Sequence, residues 1–170
     1  MDEAAMSRTH TPLRLFHYSQ QRVERFTGMG YAQLKDQMKP LGIWLSVGRA
    51  WQRWCEDENF SPERLTHVHR VTIATDHLLR LQSTKDIDVF TQRYAATSPL
   101  SEYRAIDWGR VARDYDGILI APYCWSCRLT RHTSWYYTWD CASACVWNLS
   151  AIVQVEFQGV TQFTKAKEKA

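Results

Sequence analysis

An α+β domain is the fold class this sequence predicts. Short runs of two-residue apolar alternation stand near both ends of the chain, and segments of helical period between them are few. Strands therefore outnumber helices, with neither an internal repeat nor a second domain boundary.

In chain order, Leu13, Leu15 and His17 alternate with Arg14, Phe16 and Tyr18, which predicts the first strand. A polar segment with Gly28 and Gly30 leads to the turn Lys39-Pro40-Leu41-Gly42 and a short strand over 43–46. Ala50, Trp51, Trp54 and Cys55 fall at helical spacing, and Ser61-Pro62-Glu63 reads as a helix start or a turn. Residues 68–74 are rich in β-branched side chains and predict a strand. Thr75-Asp76 then caps a short turn holding Leu78, Leu79 and Leu81. Ser83 or Thr84 caps a helix with Ile87, Phe90 and Tyr94 on one face. Asp107 opens another with Trp108, Val111 and Tyr115. Gly117 ends that helix, and 118–121 predicts a buried strand stopped by Pro122. Residues 123–143 have no clean period. Val146-Trp147 and the alternating Val153, Val155 and Phe157 close the core. The expected organisation is a loose arm over 1–12, one domain over 13–160 and a solvated tail over 161–170.

Composition narrows the function. The 170 residues carry 21 lysines and arginines against 18 acidic residues, and a net charge of +3 is too mild to argue for nucleic acid alone. No apolar run is long enough for a membrane span, and the acidic start predicts no secretory leader. Five cysteines, an odd number, then predict reduced thiols in the cytoplasm. Eight tryptophans suit either a core or a cleft for a planar ligand.

The cysteine spacing admits a metal. Cys124 and Cys127, then Cys141 and Cys145, supply four thiols for a structural zinc site in a non-enzymatic interaction module. Neither pair has the glycine of a tight knuckle turn, and Cys145 enters an apolar strand. The strand-then-CxxC order also suggests thiol redox chemistry, but 128–139 lacks the helical face that chemistry relies on.

A third reading starts from separated pieces in a particular order: Phe16-His17-Tyr18-Ser19, Gly42-Ile43-Trp44-Leu45-Ser46, Tyr115-Asp116-Gly117-Ile118, and Asp140 five residues before Cys145. These resemble the ADP-ribosyltransferases of the class with a His, an aromatic and an acidic residue. That class includes the poly(ADP-ribose) polymerase catalytic domains and small phage anti-CRISPR proteins. The resemblance implies a split, mostly antiparallel two-sheet core with a few peripheral helices. It also implies NAD⁺ as substrate and mono-ADP-ribosyl transfer to a protein or nucleic-acid acceptor. By the same resemblance His17 holds the adenosine-side ribose, Ser19 the nicotinamide amide, and Trp44 stands where the family has Tyr. Tyr18 and Ser46 flank these positions, and Trp51 or Trp54 offers a flat face to the nicotinamide ring. The glutamate position of the polymerases holds Ser143, so Asp140, three residues earlier, is the candidate catalytic carboxylate. The basic, aromatic segment 123–137, with Arg128, Arg131 and His132, stands where the family meets its acceptor.

Overall fold

The computed structural model describes residues 13–60, 62–96 and 103–162. The expected arm over 1–12, Ser61 and most of the tail lie outside them. Among the described residues seven strands form one mixed sheet: β1 (Leu15–Ser19), β2 (Ile43–Val47), β3 (His67–Ile73), β4 (Leu78–Leu81), β5 (Gly117–Ile120), β6 (Ser143–Val146) and β7 (Ile152–Val160). Their order across the sheet is β4-β5-β6-β2-β1-β3-β7, parallel only between β4 and β5. Three α-helices accompany it among the described residues, α1 (Ala50–Asp57), α2 (Thr84–Tyr94) and α3 (Trp108–Asp114). The α+β expectation holds. The two-sheet expectation does not: β1 pairs with β2, so the halves are continuous. That junction is short, for only Leu15 with Val47 and Phe16 with Ser46 face one another.

Local chemistry accounts for the helix starts. Ser83 Oγ accepts the Asp86 N–H and caps α2; Asp107 Oδ1 accepts the Arg110 N–H and caps α3. The segment at 78–81, expected as a turn, is a strand. Leu78 and Leu81 are buried there, and parallel pairing with β5 covers a run too short to show a period.

Both faces of the sheet carry a core. Leu15, Leu45, Val71, Leu119 and Ala144 pack on one. On the other, Ile118, Ile120 and Cys145 meet α2, α3 and an aromatic cluster. Trp108, Trp135, Tyr136 and Trp139 are wholly buried in that cluster. Much of the aperiodic stretch is thus core, held on two 3-10 turns at Trp125–Cys127 and Ser134–Thr138. The Trp135 indole N–H donates to Thr91 Oγ at 2.8 Å, so its polar edge is satisfied in the interior.

Two of the sequence signatures have structural work to do. The Asp116 carbonyl accepts the N–H groups of both Trp147 and Asn148, and the Tyr115 carbonyl accepts the Trp147 indole N–H at 2.6 Å. Tyr115-Asp116-Gly117-Ile118 therefore fixes the end of β6. Gly42 lets the chain entering β2 lie against β6: a Cβ there would stand 2.6 Å from the Val146 carbonyl oxygen and 2.7 Å from Cys145 Sγ. Gly42→Ala is expected to cost about 1–3 kcal/mol, read as a lowered denaturation midpoint. An unchanged midpoint would refute the close approach.

Candidate functional site

Where β1 and β2 stop pairing, the surface opens into a cavity of about 190 Å³. His17, Tyr18, Trp44, Ser46, Trp51 and Asp140 line it, together with Lys39, Cys141 and Ser143. Six of the eight residues singled out from the sequence thus meet in one place. Ser19 and Trp54 are not among its walls. The Ser19 hydroxyl donates to the Gln21 carbonyl at 2.6 Å, and Trp54 packs on Phe60 with ring centroids 5.7 Å apart.

Strand alternation puts His17 with Leu15 and Leu45, and Trp44 with Ser46 on the other side of the sheet. The short ladder resolves this conflict. Beyond Phe16 and Ser46 no pairing holds the strands together, and His17 Nδ1 lies 3.0 Å from the Trp44 carbonyl oxygen. A carbonyl only accepts, so Nδ1 carries the proton and Nε2 is left as an acceptor. Burial holds the imidazole below its ordinary pKa of 6.5, which keeps the ring neutral at pH 7.

His69 faces His17 across β1 and β3, and burial lowers its pKa as well. Both histidines refuse a proton that the unfolded chain takes up near pH 6.5. Their contribution to stability is therefore full above that value and declines as pH falls through it. Melting temperature is expected to hold between about pH 8 and 7 and to fall from about pH 6.5 downward. A melting temperature that rises on acidification to about pH 5.5 would contradict this.

The aromatic wall is built in layers. Trp44 packs edge-on against buried Trp139, with centroids 4.7 Å apart. Tyr18 and Trp51 lie 4.8 Å apart. Ser46 Oγ accepts the Trp51 backbone N–H at 3.0 Å and donates to the Gly48 carbonyl. The hydroxyl is thereby committed to seating α1, and with it Trp51, against the cavity.

Asp140 is the one carboxylate among the described residues lining the cavity. Its oxygens lie 3.9 Å from Lys39 Nζ and 3.6 Å from an Arg128 nitrogen. Arg128 also donates to the Trp139 carbonyl at 2.7 Å and to the Tyr123 hydroxyl at 2.8 Å, so it fixes the backbone just before Asp140. Ser143 is buried, and its hydroxyl donates to the Cys141 carbonyl at 3.0 Å. Asp140 is the cavity's source of negative charge. In the sequence Lys39 reads only as part of a turn, not as a site residue; its place four residues before β2 is the available signal.

Arg128 also borders a second cavity of about 340 Å³, with Tyr103, Leu129, Arg131 and Tyr137. Among the described residues no carboxylate lines it. The segment expected to meet an acceptor thus divides: Trp135 and Tyr136 are core, while Arg128, Leu129 and Tyr137 face this hollow.

The four-thiol zinc site is not formed. Among the described residues no group of three or more His, Cys, Asp and Glu is placed to hold a metal ion. Cys124 and Cys127 lie with the aromatic cluster, Cys145 is buried opposite Trp44 in the β2–β6 ladder, and Cys141 lines the first cavity. All five cysteines are free thiols. The redox reading fails on geometry too, since Trp125–Cys127 is a 3-10 turn rather than the start of an α-helix. Burial raises the pKa of both Cys124 and Cys127, opposite to what a reactive thiolate needs. Burial likewise pushes Cys141 up to about 12, so the thiol facing the cavity stays protonated. Among the described residues no helix is long and apolar enough to cross a membrane.

The chain matches no family model, no curated protein and no solved structure.

Proposed function

We propose that the chain is a mono-ADP-ribosyltransferase that takes ADP-ribose from NAD⁺ and passes it to a macromolecular acceptor, protein or nucleic acid. The observation that carries the reading is the meeting of His17, Trp44 and Asp140 on one small cavity. At about 190 Å³ the cavity is below the ~300–1,000 Å³ of pockets that enclose a whole ligand, so it takes the nicotinamide end of the dinucleotide.

In this reading the pyridinium ring rests on the indole wall of Trp44 and Trp51, where flat π faces attract a flat cation. His17 Nε2 accepts a hydrogen bond from a ribose hydroxyl. Asp140 lies beside the ribose carbon C1′. When the C1′–N bond breaks, its electron pair leaves with nicotinamide, which becomes neutral, and positive charge develops at C1′. A carboxylate placed there stabilises that charge without reorganising. The acceptor's nucleophilic atom then bonds to C1′ and loses its proton to Asp140 or to water. Trp44 offers a π face but no phenolic hydroxyl, so ring placement depends on stacking.

The test is incubation with NAD⁺, following nicotinamide release and label transfer to candidate acceptors. Release or transfer supports the reading. No release, no transfer and an unchanged melting temperature in millimolar NAD⁺ would reject it.

A further inference from the structure

Lys39 does something in the cavity that a turn residue need not do. Its Nζ lies 4.6 Å from the centroid of the Trp44 ring and 3.9 Å from Asp140 Oδ2. Trp44 has Trp139 as its other ring neighbour, so the indole is backed by the core while an ammonium group covers it from the cavity. A cation over an indole and beside a carboxylate fills the position that suits any cation-bearing flat ligand. Such a ligand gains the same two attractions, and cannot take them while the ammonium holds them.

We propose that Lys39 is a built-in competitor: its ammonium occupies the seat of an aromatic cation on Trp44 and Asp140, and the ligand binds by displacing it. The Lys39 side chain is 41% exposed, so it has solvent to swing into and does not hold the core. Its four-carbon stem makes that movement easy, and the expelled charge is rehydrated at once. The cost of expulsion is subtracted from the ligand's affinity. The same geometry favours the oxidised, positively charged nicotinamide ring over its neutral reduced form. The identity of the cation as the nicotinamide of NAD⁺ rests on the function proposed above; the seat itself does not.

The experiment is calorimetric titration of the full chain and of Lys39→Ala with two probes of nearly equal shape, 1-methylnicotinamide, a cation, and nicotinamide, which is neutral. Removing one competing cation–π contact is expected to tighten 1-methylnicotinamide by about fivefold and nicotinamide by less than about twofold. Lys39→Arg, which keeps a cation over the ring, is expected to stay within about twofold of the parent. Unchanged or weaker binding of 1-methylnicotinamide by Lys39→Ala would overturn the proposal, as would equal tightening of both probes or no binding of either. The two readings fail separately. If Lys39→Ala tightens the cation while NAD⁺ neither binds nor reacts, the seat stands and the transferase falls. If NAD⁺ is split but Lys39→Ala does not tighten the cation, the competitor falls alone.

Discussion

Asp140→Asn is expected to slow nicotinamide release from NAD⁺ by about 10²–10³-fold, the loss typical when one preorganised charge is taken from a transition state. The dissociation constant of NAD⁺ should change less, since the pyridinium charge is met by the Trp44 face as well as by Asp140, whereas the charge at C1′ develops only as the C1′–N bond breaks. Folding should change little as well. The Asp140 carboxylate is about a third exposed and its two cations stand 3.6 and 3.9 Å away, so the pairs contribute at most about 1 kcal/mol. Release assays, titration and a melting curve on the same preparation separate the three effects. Release at the parent rate would remove Asp140 from the chemistry and leave Ser143, with its committed hydroxyl, as the only residue at the expected position.

Trp135→Ala is the largest stability effect anticipated. The indole is wholly buried among Phe90, Trp108, Tyr136 and Trp139. Truncating it leaves a cavity and costs about 3–5 kcal/mol. It also removes the indole donor from Thr91 Oγ, a buried hydroxyl that still donates to the Ile87 carbonyl at 2.7 Å. Set against a typical total of about 5–15 kcal/mol, the loss takes from about a fifth to all of the parent's stability. Denaturant unfolding measures this. A loss below about 1 kcal/mol would mean the aperiodic segment is not part of the core.

Trp135 also shows what was hard to read in the sequence. α2 and α3 were legible because their apolar residues recur at helical spacing behind Ser83 and Asp107, which cap them. β1, β2, β3 and β5 were legible by alternation, by β-branching or as short apolar runs closed by a Gly or Pro. β4 was not, since four residues buried against a parallel neighbour carry no alternation. Trp135 and Tyr136 sit on the single 3-10 turn Ser134–Thr138 and Trp139 just after it, too brief a stretch for any period to show, so their burial could be seen only in the fold. Val153 fails the alternation expected of β7. The register shifts between Thr72 and Ile73, which pair with Gln154 and Ile152, and the intervening Val153 is left 66% exposed.

The site was legible through motif order more than through pattern. Periodicity puts His17 and Trp44 on opposite faces, and only the early end of the β1–β2 ladder lets both line one cavity. Lys39 escaped notice because a lysine in a Pro-Gly turn is ordinarily a solvated residue; its seat depends on where Trp44 and Asp140 come to lie, 5 and 101 positions further along the chain.

A crystal structure of the protein with NAD⁺ bound decides whether the dinucleotide occupies the His17–Trp44–Asp140 cavity. The nicotinamide ring is expected on Trp44 with the Lys39 ammonium displaced, a ribose hydroxyl on His17 Nε2, and C1′ within about 3.5 Å of an Asp140 oxygen. Electron density for the dinucleotide away from the His17–Trp44–Asp140 cavity, or a cavity left empty in saturating NAD⁺, would contradict that placement.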